Sequence, residues 1–312
     1  MRLARSQWIL IGTLVACLGL TFCSNAFNLY YLQVAIVVGI NIILATSLNL
    51  INGYTGQFSL GHAGFMAVGA YTSAYITLKV GHVSSDLSAN LVFFGALLAG
   101  GLMAAGTGLL VGIPSLRLKG DYLAIVTLGF GEIIRVILLN LEFVGGALGL
   151  NGIPPYSNIF WTFGFAAVTV YVVVSMVNST FGRGFIAVHD DEVAAEAMGL
   201  NTTRYKILAF VVGAFFAGVA GGIYAHVVRS IDPGGFGFIK SIEIVVMVIM
   251  GGMGNTVGVI LAAILLTLLP EFLRPIADYR MLIYSLLLVV LMLVRPQGLF
   301  YWKRNKSRVV AK

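Results

Sequence analysis

Charge is scarce in this sequence. Only 10% of its 312 residues are Asp, Glu, Lys or Arg, against roughly 25% in an ordinary soluble domain. Hydrophobic residues make up 59%, and the mean hydropathy is +0.97. No single soluble core hides that much apolar surface, because surface-to-volume scaling limits core size. The composition excludes a soluble enzyme, a disordered chain and a nucleic-acid-binding domain. Cysteine is almost missing: Cys17 and Cys23 share one apolar segment. They point to different sides of a helix there and read as inert buried thiols rather than a disulfide or metal site. The Walker A pattern and the H-E-x-x-H zinc motif are both absent from the sequence, so neither ATP hydrolysis nor a metal centre is expected of this chain alone. The four histidines, His62, His82, His189 and His226, are scattered. Ser59 and His62 are close in sequence but have no carboxylate nearby, which argues against a hydrolase triad.

What is present is apolar length. About 184 hydrophobic residues suffice for eight to ten membrane spans at about 20 residues each. The stretches run over 8–23, 29–50, 62–80, 90–113, 121–140, 158–177, 207–228, 241–273 and 281–294. The 241–273 stretch is too long for one crossing of a core about 30 Å thick. It contains Gly251-Gly252-Met253-Gly254-Asn255, and glycine clusters break helices. Divided into 241–250 and 256–273, it brings the count to ten. The fold class expected is all-α: a polytopic membrane helix bundle of about ten transmembrane segments, some broken, with N- and C-termini cytoplasmic. The first segment has a basic start, Arg2 and Arg5, but no convincing small-x-small site follows. It therefore reads as a retained span rather than a signal peptide.

Charge placement supports this topology. Arg2, Arg5, Arg117, Lys119, Arg183, Arg204, Lys206, Arg295 and the basic tail fall on the cytoplasmic side, thirteen of the nineteen Lys and Arg. That bias follows the positive-inside rule and explains the net charge of +7 without a nucleic-acid partner. Residues 1–312 read as a single transmembrane domain, with one long polar stretch at 178–206. Within that stretch Asp190, Asp191 and Glu192 stand where a helix would start, and acids there favour the helix dipole. Val193 to Met198 are helix formers, and Gly199 and Asn201 end the helix. A well-capped short cytoplasmic helix reads either as a surface connector or as a docking element for a cytoplasmic partner; the capping favours docking.

Three further features stand out. Glu132 and Arg135 share a helix face inside the fifth span, where ionisable groups are costly and face the bundle interior. They form either a structural ion pair or part of a pathway. His226 and Arg229, with Asp232 after them, fall on the outer side, as surface groups meeting a soluble partner or as an ordinary loop. Small residues recur at helical spacing, as in Gly61, Gly64, Ala67 and Gly69, or Gly213, Ala217, Gly218 and Gly221, and let transmembrane helices approach closely. An ion-coupled carrier acting alone would depend on Glu132, Arg135 or Glu243.

Several stretches resemble one family. GYTGQFSLGHAGFMAVGAY at 53–71 resembles the signature of permeases of branched-chain amino acid ABC importers. LRLKGDYLAIVTLGFGEIIR at 116–135 is similar to the M-type subunit in particular. Gly182-Arg183-Gly184-Phe185, the 194–201 stretch, 249–255 and Arg295–Phe300 also fit. The resemblance covers about 35–302. It implies a multi-pass protein of the bacterial inner (plasma) membrane. Its partners would be a second, H-type permease, two ABC ATPase subunits and a soluble substrate-binding protein. The chain itself would bind no cofactor, with ATP and Mg used by the partner subunits. The 178–206 loop would couple to the ATPases through Arg183, Asp190, Asp191, Glu192, Glu196 and Gly199. The irregular segments would help form the translocation pathway, with Gln57, Ser59, His62, Gly251, Gly252, Gly254 and Asn255 as candidates. Urea and short-chain amide permeases share much of this pattern, so the substrate stays open between them and branched-chain amino acids.

Overall fold

The computed structural model describes residues 28–81, 86–115 and 120–274, with isolated positions between 279 and 299. The span read at 8–23, most of that at 281–294, both cysteines, Arg117, Lys119 and the basic tail lie outside the described residues. The rest is a helix bundle. Its elements are α1 (Leu29–Asn49), α2 (His62–Val80), α3 (Asp86–Ser115), α4 (Asp121–Asn140), α5 (Ile159–Asn178), α6 (Thr180–Asp190), α7 (Glu192–Ala197), α8 (Thr202–Val228), α9 (Phe238–Gly251) and α10 (Thr256–Phe272). Six of its helical segments are long and apolar enough to cross a membrane. α1 passes directly into a π-helical turn, Leu50–Tyr54, after which the chain is irregular until Gly61. A short antiparallel bridge pairs Leu150 with Ile231 and Asn151 with Ser230.

α8 is the central element and packs on α1, α2 and α3. Membrane helices gain little from the hydrophobic effect between themselves, so contact depends on close backbone approach through small residues. Three glycines on three helices supply it. A Cβ on Gly69 would collide with the backbone of Gly218, and one on Gly100 would stand 2.8 Å from the Gly69 carbonyl oxygen. One on Gly218 would stand 2.5 Å from the Ala104 side chain. The small-residue spacing read in the sequence is therefore the seam of the bundle.

The break between α9 and α10 falls where the glycine cluster places it. Gly252 and Gly254 take φ of +91° and +79°, conformations that only glycine adopts without strain. Asn255 then caps α10 by accepting from the Gly258 N–H at 3.2 Å.

Two expectations need correction. His226 is not a surface group: it is 1% exposed, with Nε2 3.0 Å from the Thr77 hydroxyl and the Phe93 ring 4.7 Å away. α8 continues packing through its last turn and takes the imidazole into the bundle; Arg229 and Asp232 are exposed as read. The 178–206 stretch also holds a second helix, α6, so Asp190 ends one helix instead of starting the next. Ser179 caps α6 through the Gly182 N–H, and Phe185 and Val188 bury one face of it.

A Gly218→Val substitution is expected to force α8 off α2 and α3 at a cost of about 1–3 kcal/mol or more. The check is the thermal unfolding midpoint in detergent. Gly106→Ala, on an open side of α3, is expected to leave that midpoint unchanged or slightly raised.

Candidate functional site

The polar stretch between α5 and α8 folds into a helical hairpin of α6 and α7. Asp191 accepts from the N–H groups of Val193 and Ala194 at 2.9 and 3.0 Å, which caps α7. At the other end Gly199 has φ +82°, its N–H donates to the Glu196 carbonyl, and the Leu200 N–H donates to the Ala195 carbonyl. The Glu196 carboxylate accepts from the Thr202 hydroxyl at 2.7 Å, and Asn201 caps α8 through the Arg204 N–H. Glu192 pairs with Lys206 of α8 at 2.6 Å, and the Lys206 side chain is only 8% exposed. The sequence offered no sign of that pairing, because Lys206 reads as one more loop cation. On its outer side the hairpin exposes Arg183, Asp190, Asp191, Glu196 and Gly199, together with Phe181, Val193 and Met198, the last 84% exposed. Large apolar side chains standing out among charges are the composition of a protein-binding surface.

The second cluster is internal. Asn49, Asn52, Gln57, Ser59 and His62 are all buried, which is costly unless polar groups find partners. Many do. The Asn52 side-chain oxygen accepts from the Ser59 N–H at 3.1 Å, and His62 Nε2 lies 2.9 Å from the Ser47 hydroxyl. Asn49 reaches across the bundle and accepts from the Gly254 N–H at 2.9 Å, while the Tyr54 and Thr256 hydroxyls lie 2.7 Å apart. Thr127 of α4 accepts from the Leu60 N–H, and Ser241 of α9 accepts from the Ala63 N–H. The two irregular segments read from the sequence, 52–64 and 251–255, are thus brought together around the end of α1. The side-chain amide of Gln57, the Ser59 hydroxyl and His62 Nδ1 are buried without a hydrogen bond to the protein.

The two clusters meet. A polar cavity of about 210 Å³ is lined by residues 55–58 on one side and by Val188 to Glu192 with Lys206 on the other. A Cβ on Gly56 would lie 2.9 Å from the His189 ring, so the loop rests directly on the hairpin.

Glu132 and Arg135 pair at 2.7 Å, as their spacing implies. The pair has a second contact that spacing does not reveal: Glu132 accepts from the Phe238 N–H at 3.1 Å and so caps the start of α9. On α9 itself Lys240 and Glu243 pair at 3.0 Å.

Replacing Lys206 with Met is expected to release α7 from α8. Removing one partner of a buried pair costs about 3–5 kcal/mol, and the partial exposure of Glu192 keeps the loss near the lower end. Asp191→Ala is expected to cost about 1 kcal/mol. Amide hydrogen exchange over 190–201 checks both, with faster exchange in the first variant than in the second.

A family profile described as "Branched-chain amino acid transport system / permease component" matches residues 30–294. The high-affinity branched-chain amino acid transport system permease protein LivM of Escherichia coli (strain K12) is 37% identical over 312 residues, covering 89% of this chain and 71% of that protein. The corresponding LivH of Salmonella typhimurium is 24% identical over 280 residues, covering 82% of this chain and 90% of that protein. Among solved structures, PsaBC from Streptococcus pneumoniae in complex with Fab aligns with a TM-score of 0.47 at 15% identity, over 87% of this chain and 93% of that one. The chain belongs to the family of permease components of branched-chain amino acid transport systems.

Proposed function

We propose that this chain is one of two permease chains in an ATP-driven importer of branched-chain amino acids. The observation that carries this reading is the α6–α7 hairpin. It is capped at both ends, tied to α8 through Glu192 and Lys206, and presents Val193 and Met198 outward. A helix so anchored takes up a load from outside the membrane and delivers it to the bundle. The 55–58 loop receives it on the other side of the polar cavity. In this reading two ATPase subunits grip the hairpin. ATP and Mg bind to those subunits and not to this chain. A soluble binding protein delivers the solute on the opposite side, and an H-type chain, of the kind named in the LivH relative, completes the pathway. The binding cycle moves the bundle between two states by differential affinity for each.

The reading also takes in ten spans with both termini cytoplasmic, in the bacterial inner membrane. Thirteen of nineteen basic residues fall on one side under that topology, as the positive-inside rule requires. Coupling rests on Arg183, Asp190, Asp191, Glu192, Glu196 and Gly199, all in the hairpin or at its ends. Gln57, Ser59, His62, Gly251, Gly252, Gly254 and Asn255, in the polar layer behind it, help form the translocation pathway in this reading.

Purification of the tagged chain in mild detergent is expected to bring down a second permease and two P-loop ATPases, identified by mass spectrometry. A chain recovered alone that moves solute without ATP would overturn the importer. Replacement of 192–198 by a Gly-Ser linker is expected to leave membrane insertion intact while ATP hydrolysis no longer drives uptake. Leucine uptake and ATP turnover in the same proteoliposomes check this.

A further inference from the structure

Between α2, α3 and α4 the bundle leaves an apolar groove of about 340 Å³. Tyr71 and Tyr75 of α2, Met103 and Thr107 of α3, and Ile137 and Leu138 of α4 line it. Two of the hydroxyls in this lining are engaged by backbone. Tyr71 donates to the Ile231 carbonyl at 3.3 Å, and Thr107 donates to the Ala104 carbonyl at 2.9 Å. No charged residue lines the groove. A zwitterionic solute would lose its hydration there without a charged partner, so these walls do not suit a solute route. The groove opens sideways, because Met103, Ile137 and Phe143 on its lining are 55%, 50% and 64% exposed.

Its length and its mouth are both informative. On α2 the lining runs from Val68 to Ile76, about 12 Å at 1.5 Å of rise per residue. That stretch lies toward the end of α2 away from the α6–α7 hairpin. One leaflet of hydrocarbon is about 15 Å deep, half of a core about 30 Å thick, so the groove has the length of a single leaflet. At its mouth the Tyr75 and Phe143 rings meet edge to face at 5.7 Å. The Lys79 ammonium, one turn further along α2, stands 5.6 Å from the Tyr75 ring centroid, within cation–π range. Lys79 is exposed, and no described carboxylate forms a salt bridge with it. Glu142, next to Phe143 in the 3-10 turn Glu142–Val144, is exposed at the same end. Aromatic rings and a cation together at a helix end are the composition of the headgroup level of a bilayer.

We infer that this groove holds one acyl chain of a phospholipid from the leaflet away from the hairpin, with the lipid phosphate on Lys79. The mouth carries one charge of each sign, Lys79 and Glu142. That balance suits a zwitterionic headgroup, phosphatidylethanolamine, with its ammonium toward Glu142, over the anionic phosphatidylglycerol. An empty groove would leave its walls without dispersion partners on one side. The bound chain supplies them and completes the packing of α4 against α2 and α3. The inference goes beyond the importer reading and needs only a chain that spans a bilayer.

Photo-labelling tests this on the tagged chain purified with its partners and reconstituted in vesicles of phosphatidylethanolamine and phosphatidylglycerol. A trace of one lipid or the other carries a photoactivatable diazirine on an acyl chain, and mass spectrometry maps the labelled residues. The phosphatidylethanolamine probe is expected to label Met103 and Ile137 at least fivefold more than Leu102 and Leu110, which are exposed on α3 outside the groove. It is also expected to label them more than the phosphatidylglycerol probe does. Lys79→Ala, at an exposed site, is expected to lower the groove labelling at least threefold and leave the two control positions unchanged. Thr107→Phe, which fills the groove from α3, is expected to abolish it. Equal labelling of groove and control positions would mean bulk lipid only and would overturn the site. Groove labelling that Lys79→Ala leaves intact, or that the two probes give equally, would overturn the proposed headgroup contacts. A groove shielded from both probes and cross-linked to another protein chain would also overturn the proposal.

Discussion

Backbone without a partner is what this fold must avoid. Inside hydrocarbon each free N–H or C=O costs several kcal/mol, so irregular chain is tolerated only when enclosed by protein that satisfies it. Here two irregular segments lie within the bundle, at 55–61 and 252–255. Their amides are met by side chains from other helices, Asn49 of α1 for Gly254 and Thr127 of α4 for Leu60, while Ser241 of α9 meets the Ala63 N–H in the first turn of α2. α1, α2, α4, α9 and α10 are arranged so that those donors and acceptors coincide. The glycine seam of α2, α3 and α8 serves the same end, because only backbone-to-backbone approach brings α8 near enough to hold the layer closed.

The polar layer and the α6–α7 hairpin then form one continuous structure. From Met198 outside, the chain of contacts runs through Asp191 and Glu192 to Lys206, across the polar cavity to Gly56 and Gln57, and on through Asn52 and Asn49 to the glycine turn. No link in it is a long flexible loop. Short contacts and one small polar cavity thus lie between the hairpin and the break between α9 and α10.

The helices were largely legible in the sequence because the bilayer imposes their length. Apolar runs predicted at 62–80 and 121–140 are the helices His62–Val80 and Asp121–Asn140, and the glycine cluster divided α9 from α10 where it occurs. The α7 caps were legible too, since capping is local chemistry. α6 was not: its apolar residues are diluted by Gly182, Arg183 and Gly184, and what stabilises it is burial against Tyr205. His226 was misplaced because a polar residue near a span end reads as surface unless its partner, Thr77, is known. The partners of Glu192, Asn49 and Glu132 lie far along the chain, beyond any rule of spacing. Of the site, the sequence therefore gave up the segments but not their pairing.

The Asn49–Gly254 bond has a bearing on how the protein is made. Its two ends are separated by 205 positions, and contacts of high sequence separation form late because loop closure must come first. α9 and α10 leave the synthesis machinery with their connecting turn unsatisfied, and it stays so until the bundle carrying α1 closes over it. Assembly thus has an order written into it: the α2–α3–α8 seam can form early, while the turn after the C-terminal end of α9 becomes stable only once α1 packs against it.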